Sequence, residues 1–556
     1  MYKAPELDNK PDLDPSRFPT VPALFDHIFS HWSDRVAFSC FGQELTYREL
    51  DEASAKLAAW LRENTDLKPG DRIAVQLPNV LQFPVAAVAA LRAGLILVNT
   101  NPLYTAREMR HQFADSGARA VIIMANFGDK LEKVIADTDI KHVIVTEVGD
   151  MVPGLKGMLI NAGARYIKKM VPRYKLPSAV RWKEVMSSSP GVDGREAVDA
   201  GTDVALILYT GGTTGLAKGA MLTHSNLIWN MMQLRSANES LIRDGEDVII
   251  APLPLYHTYA FMLHILSQCY AGNHNVLIPN PRDVDSLIKT IRETKPNGIV
   301  GINTLYLALC RHKEIEHIDF SAMRFSAAGG MALSSRVARD WKEITGSEVL
   351  EGYGLTECSP VVTVNPPGAS RIGTVGKAVP STSLMLADEE GNEVTGDEPG
   401  ELWVKGPQVM KGYWQNEEAT RESITEEGWF KTGDYAQFDE DDFVRIVDRK
   451  KDMINVSGFN VYPSEIEEVV NSHPGVAESA AIGIPDESSG EKIKLFVVRR
   501  DNVLTMDDVT AHCRENLTAY KVPRDIEFAD DLPKTNVGKI LRRELRDREV
   551  GKQEQS

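Results

Sequence analysis

Short, continuous apolar runs punctuate the first half of the chain, each followed by residues with helical spacing: DRIAVQL (71 to 77), LILV (95 to 98), ARAVIIM (118 to 124) and KHVIVT (141 to 146). Runs of this length and composition predict strands buried on both faces, and their alternation with helices predicts β-α-β units and a mostly parallel sheet. A second set, VIIAPL (248 to 253), NVLIP (275 to 279) and GIVGI (298 to 302), predicts another sheet of related construction. The longest apolar stretch, Phe83 to Val98, contains Pro84, Arg92 and Gly94. It falls short of the ~20 residues a membrane span needs and reads as a buried helix running into a strand. The fold class is therefore α/β, with two doubly wound sheets in one large N-terminal domain.

From Gly373 to Arg449 the pattern changes to short alternating strands and turns, such as GELWVKG and FVRIVDR, which predicts a β-rich subdomain. Beyond DRKKD (448 to 452), Ser464-Glu465-Ile466-Glu467 has the spacing of a capping box, predicting that Ser464 and Glu467 satisfy backbone N–H groups at a helix start. A small α+β unit of about a hundred residues is expected to follow. The division is placed at Lys451, giving a large domain over 1–450 and a small one over 451–556.

Composition narrows the function. The 556 residues carry 62 Lys+Arg against 79 Asp+Glu, a net charge of −17, which argues against general affinity for nucleic acid. Five scattered cysteines with no Cys-x-x-Cys pair suit a reducing, cytoplasmic compartment without structural zinc. The N-terminus lacks the basic and apolar regions of a secretory signal. One stretch opposes the overall charge: residues 151 to 183 hold eight basic residues and no acid. There Leu155, Leu159, Ala162, Tyr166 and Met170 recur at helical spacing, with Arg165, Lys168 and Lys169 on another side. Two readings are open: a basic amphipathic helix lying on an anionic membrane, or a surface helix whose apolar stripe faces the core.

Candidate chemistry clusters in a few motifs. VALILYTGGTTGLAKGAML (204 to 222) sets Thr210, Gly211, Gly212, Thr213, Thr214 and Gly215 after an apolar strand, with Lys218 beyond. Glycines admit phosphates close to the backbone, and the hydroxyls and Lys218 supply donors and charge. The spacing is not that of a Walker A loop, and a plain Gly-rich hairpin is the alternative. In EGYGLTE (351 to 357), Tyr353 suits a planar base, Thr356 a phosphate, and Glu357 a Mg²⁺ among phosphate oxygens. Asp434, closing GWFKTGD, suits a pair of ribose hydroxyls. His257 lies among apolar residues in LPLYHTYAF, and Lys539 follows a turn in PKTNVGKILRREL. Taken singly, each has an ordinary structural explanation.

In this order and spacing, YTGGTTGLAKGA, EGYGLTE, TGD, DRKKD and NVGK resemble the adenylate-forming enzymes, the superfamily of acyl-CoA synthetases, firefly-type luciferases and peptide-synthetase adenylation domains. The resemblance spans nearly the whole chain. Within that superfamily, VNTNPLYTAREMRHQFADSGA, LPLYH, IPNPRD, GINTLY, VLEGYGLTECSPVV and the segment 427 to 452 look like bacterial long-chain fatty-acid CoA ligases. The resemblance implies that a fatty-acid carboxylate attacks the α-phosphate of ATP to give acyl-adenylate and pyrophosphate, after which the CoA thiol displaces AMP. It implies that the β-rich part is a distorted barrel and that the small domain is mobile, rotating about Lys451 between the two steps.

By matched position, Thr356 meets the α-phosphate, Glu357 and Thr214 the Mg²⁺, and Asp434 and Arg449 the ribose. Gly329, Gly330, Met331, Gly352 and Tyr353 form the adenine pocket, His257 borders the acyl carboxylate, Lys539 serves adenylation, and Gly458 flanks the pantetheine tunnel. Phe261 stands where some relatives carry a tryptophan, and Met331 replaces a smaller residue, which leaves chain length open. The resemblance leaves room for a homodimer and for peripheral contact with the cytoplasmic face of the inner membrane through residues 151–183. Competing readings are a CoA ligase for medium-chain or aromatic acids, an ATPase releasing orthophosphate, and a lipid-binding peripheral membrane protein without chemistry.

Overall fold

The computed structural model describes all residues except 8–12, 189–202, 211–216, 397, 458, 487–488, 501–502, 536–538 and 554–556, and the side chains of 550–553. Gly211, Gly212, Thr213, Thr214, Gly215 and Gly458 thus lie outside the described residues. The described residues form four sheets. The first has the order 412–413, 218–223, 204–210, 96–99, 72–76, 118–124, 142–146 and 179–181. Its strands from 204–210 to 179–181 run parallel, and the two outer strands at the other edge are antiparallel. The predicted apolar runs are these strands, and the stretch from Phe83 is the buried helix Gln82–Arg92 leading into Ile96–Asn99.

The second sheet centres on parallel strands 325–328, 298–301, 248–251 and 274–277, flanked by 349–354 and 36–40. The helix Gln82–Arg92 and a large shared core of Leu, Val, Phe and Ala side chains join it to the first. Between residues 383 and 449 the chain builds a five-stranded antiparallel sheet with Tyr2–Lys3 at its far edge. Two short strands of the expected β-rich stretch pair elsewhere: Lys377–Ala378 extends the second sheet and Gly412–Tyr413 the first.

After the turn Lys450–Asp452 comes a sheet of 454–456, 459–461, 476–486, 490–499 and 525–529, with helices at 463–472, 506–516 and 542–553. One expectation fails here. Ser464 does not cap its helix, because Pro463, with its fixed φ and no N–H, occupies the first helical position and moves the N-cap to Tyr462. A carboxylate from outside the helix does the work instead: Asp448 Oδ2 accepts from Ser464 N at 2.8 Å and from the Ser464 hydroxyl. Glu467 turns inward to Arg542 and to Ala481 N.

For residues 151–183 the structure removes one of the two open readings, the surface helix whose stripe faces the core. The helix there runs only over Gly154–Ala162 and continues as a wide turn over Gly163–Ile167. Gly157 packs against the turn that precedes the helix, where a Cβ would sit 2.0 Å from Val152 O, and Asn161 and Arg165 bind Gly149 N, Asp150 and Glu147. The large apolar residues point away from that contact. Leu155, Leu159, Tyr166 and Ile167 are 62 to 82% exposed, and Met158 and Met170 are exposed as well. The apolar stripe does not face the core. No helix among the described residues is long and apolar enough to cross a membrane.

Candidate active site

The site forms where strand ends of both large sheets meet the β-rich sheet and the last hairpin of the chain. The strands Val204–Thr210 and Lys218–Thr223 pair so that Thr210 and Lys218 stand opposite each other, at the base of the Gly-rich loop. Thr210 Oγ1 donates to Glu357 Oε1 at 3.2 Å, and Tyr413 Oη donates to the same oxygen at 2.9 Å. Lys218 Nζ lies 5.3 Å from the centre of the Tyr413 ring. One carboxylate, two hydroxyls and one ammonium thus converge, and Glu357 Oε2 receives neither of the two hydroxyls.

A cleft opens next to this group, reaching it at Leu355 and Thr356, the neighbours of Glu357. Gly329, Gly330, Gly352, Tyr353 and Thr356 line one part of it; Leu234, Leu241, Ile242, Leu263 and Phe325 are among the residues of another, where Asn238, Ser267 and Gln268 are the polar members. His257 opens the helical segment that connects the two parts: Thr258 Oγ1 donates to Thr356 Oγ1 at 3.1 Å, and the segment runs on through Leu263 along the apolar wall. Gly329 must be small, since a Cβ there would meet the Tyr259 ring at 3.2 Å, and Gly330 adopts φ +79°, a left-handed conformation suited to glycine. Met331 follows, half-buried, and is not among the residues of the cleft wall.

The imidazole of His257 is neutral. Burial, and secondarily the nearby Lys539 ammonium, pull its pKa down to about 4. Its Nδ1 accepts from Tyr259 N at 3.3 Å, which assigns the proton to Nε2 and makes that edge a donor. Opposite, Tyr353 Oη donates to Asp434 Oδ2 at 2.6 Å, while Asp434 Oδ1 lies 3.3 Å from Arg449 Nε. Burial and then Asp434 push the Tyr353 phenol well above its usual range.

Lys539 reaches this group from the C-terminal hairpin. Its backbone N–H donates to Thr535 Oγ1 at 3.1 Å, and Thr535 N donates to the Lys539 carbonyl at 2.7 Å, closing the loop. Burial pulls the ammonium pKa down to about 8, Arg449 adds to the effect, and Asp434 opposes it. At neutral pH it carries its charge. Lys451 stands apart in the turn at 450–452, its pKa lowered by burial and by Arg449.

Sequence reasoning named Thr210, Lys218, Thr356, Glu357, Tyr353, Asp434, Arg449, His257 and Lys539; of these His257, Tyr353 and Thr356 line the cleft, Asp434 and Arg449 adjoin it through Tyr353, Lys539 lies within electrostatic reach of His257, and Thr210 and Lys218 gather about Glu357 and Tyr413. It missed three contributors: Tyr413, which holds Glu357; Thr258, which ties the acyl wall to Thr356; and Glu351, whose Oε1 accepts from Leu333 N at 2.9 Å and braces the Gly-rich turn. Glu351 sits inside the EGYGLTE motif, where its spacing to Leu333 leaves no trace in the sequence. Among the described residues no group of three or more His, Cys, Asp or Glu side chains is arranged to hold a metal by itself.

The cleft sets a Gly-rich turn and Tyr353 beside a largely apolar wall. The chain matches the AMP-binding enzyme family over residues 25–414 and the C-terminal domain of AMP-binding enzymes over 465–539, and it belongs to that family. It is 48% identical over 540 residues to the long-chain-fatty-acid–CoA ligase of Yersinia pestis, covering 97% of this chain and 96% of that one. Among solved structures it is similar to ATP-bound MatB from Rhodopseudomonas palustris, with 30% identity and a TM-score of 0.83 over 94% of this chain and 98% of that one. It is also similar to an anthranilate CoA ligase holding anthranoyl-AMP, at 25% identity and a TM-score of 0.85 over 96% and 98%.

Proposed function

We propose that this protein activates long-chain fatty acids to their CoA thioesters by way of an acyl-adenylate, releasing pyrophosphate and then AMP. The observation that carries this reading is the clustering of Lys539, His257 and the Asp434–Arg449 pair beside a cleft that joins a Gly-rich turn and Tyr353 to a largely apolar wall. The first step brings a carboxylate against a phosphate, so it needs positive charge and fixed donors where the two anions approach. Lys539 supplies the charge, and the Nε2–H of neutral His257 supplies a donor that costs no added cation. Enclosure by apolar walls strengthens both. Tyr353 and Arg449 orient the Asp434 carboxylate towards the ribose hydroxyls, and Thr356 faces the α-phosphate. The channel wall of Leu234, Leu241, Ile242, Leu263 and Phe325 suits an aliphatic chain.

The donor set fits Mg²⁺ held mainly by substrate phosphates, with Glu357 as the protein carboxylate and Thr214 as a further oxygen ligand. Magnesium commonly binds through one or two carboxylates plus phosphate oxygens, so the absence of a larger acidic cluster among the described residues is compatible with it. The ion would supply charge neutralisation at the departing pyrophosphate. We divide the chain near residue 450 into the unit that binds ATP and acid and the smaller unit that brings Lys539. Gly458 is assigned to the CoA approach.

The test is ATP–pyrophosphate exchange across straight-chain acids of graded length, with aromatic acids alongside. Exchange rising into the long-chain range, followed by thioester formation with CoA, is the expected result. Exchange confined to medium-chain or aromatic acids would establish the narrower alternative, and no exchange with any acid would overturn the enzymatic reading.

Residues 151–183 support a second assignment, peripheral contact with an anionic lipid surface on the cytoplasmic side. Leu155, Leu159, Tyr166 and Ile167 offer an exposed apolar face. Of the eight basic residues, Arg165 is paired with Glu147 and Lys183 with Asp150, while Lys168, Lys169 and Arg173 make no ion pair among the described residues. An exposed apolar face edged by unpaired cations matches a bilayer interface better than it matches water.

A further inference from the structure

Asp448 and Arg449 are neighbours on the strand Val444–Arg449, so their side chains leave opposite faces of the sheet. Arg449 reaches into the cleft to Asp434. Asp448, buried to 5% exposure, points the other way into the small C-terminal unit. Its Oδ2 accepts from Ser464 N and from the Ser464 hydroxyl, which itself also contacts Val447 O at 2.8 Å. Its Oδ1 accepts from Arg449 N at 2.7 Å and lies 3.8 Å from Arg542 Nη1.

Arg542 is three residues beyond Lys539 and begins the last helix, directly after the hairpin that presents the lysine. Its guanidinium donates to both oxygens of Glu467, at 3.0 and 2.6 Å, and lies 3.5 Å from Asp452 Oδ2. Arg546, one turn on, lies 2.9 Å from the other Asp452 oxygen. Three buried carboxylates and two arginines therefore lie against the root of the lysine hairpin. Asp448 is the member contributed by the β-rich sheet.

We infer that Asp448 is a positioning residue for the adenylation step: by holding Ser464 and Arg542 against the β-rich sheet, it fixes the hairpin so that Lys539 enters the cleft. A buried ionic cluster adds little net stability compared with apolar packing, but loss of one member leaves charges buried without compensation and so selects against that arrangement. The arrangement selected here is the one with Lys539 beside His257. Removing Asp448 should cost the docked hairpin far more than it costs either unit's own core, which contains no part of the cluster.

This inference rests on the adenylation reading above, and the test has one readout independent of it. Asp448→Asn and Ser464→Ala are compared with the parent and with Arg543→Gln, which alters an exposed arginine whose ion pair among the described residues is with Asp547 of its own helix. Pyrophosphate exchange should fall at least about tenfold in Asp448→Asn and less in Ser464→Ala. Conversion of supplied acyl-adenylate and CoA to thioester should change by less than about twofold. Independently of any substrate, the pH midpoint for labelling Lys539 with an amine-reactive reagent, followed by mass spectrometry, should move from near 8 towards the ordinary lysine value. The groups that face this ammonium are His257, Asp434, Arg449, Arg542 and Asp452, and none is altered in either variant.

Equal loss of both half-reactions in Asp448→Asn, or an unmoved midpoint in a folded variant, would overturn the inference. If the parent shows no exchange with any acid, the function fails and the midpoint alone decides the positioning role. Should Asp448→Asn not fold, Ser464→Ala carries the same comparison.

Discussion

Glu357 is held by two hydroxyls, of Thr210 and Tyr413, that donate to one of its oxygens. Glu357→Ala should leave folding intact and slow pyrophosphate exchange by about a hundredfold or more, because the developing charge on pyrophosphate loses its metal-linked counterweight. Glu357→Gln keeps the two hydroxyl contacts and should lose nearly as much, with a raised Mg²⁺ requirement. Exchange rates measured against Mg²⁺ concentration check both, and unchanged exchange in a folded variant would remove Glu357 from the reaction. At this scale the sequence spoke through residue type and motif order. Thr356, Glu357 and Asp434 were legible because short motifs hold them. Tyr413 was not, because its partner is 56 positions away and a tyrosine after Lys-Gly carries no mark of a carboxylate that folding will bring to it.

Elements follow the same logic. The parallel strands were readable because burial on both faces demands continuous apolar runs, and ARAVIIM became a strand over its whole length. The capping box at Ser464 misled because local spacing cannot report a capping carboxylate from another element, here Asp448. The helix after Met151 was readable as amphipathic, yet which side its stripe would face depended on contacts the sequence does not show, those of Gly157, Asn161 and Arg165 with residues 147–152. That outward stripe gives a prediction. Lys168, Lys169 and Arg173 replaced together by Gln should weaken binding to vesicles containing anionic lipid and flatten its salt dependence, since about 1 kcal/mol per basic residue is at stake near such a surface. Leu159→Ser with Ile167→Ser should weaken binding to neutral and anionic vesicles alike. Exchange activity with a soluble medium-length acid should stay unchanged in both. Co-sedimentation identical to the parent's would leave the segment as a plain surface element.

For the whole molecule, acid is the condition to which this architecture is most exposed. His224, His257, His264 and His274 are each driven by burial to a pKa of about 4. Three of them join distant or adjoining segments: His224 Nδ1 accepts from Val21 N, His264 Nδ1 pairs with Asn275 Oδ1, and His274 Nε2 pairs with Ser39 Oγ. Unfolded, each would titrate near 6.5, so between about 6.5 and 4 the unfolded chain binds protons that the folded one refuses. Stability from these four is complete above that window and is lost as pH falls through it, by about 2 kcal/mol per histidine on reaching pH 5. Glu351 has the opposite sign. Burial raises its pKa to about 8, so the folded state holds a proton that the unfolded chain releases above 4.5, and its contribution grows as pH falls from 8 to 4.5. Four groups outweigh one, and the melting temperature should drop steadily from pH 7 to pH 5. His264→Gln removes one titrating group while keeping an amide able to meet Asn275, so it should shallow that net drop by about a third whatever it does to stability at pH 7. Melting curves of parent and variant across this range provide the check: parallel lines would show that His264 is not among the groups setting the acid limit.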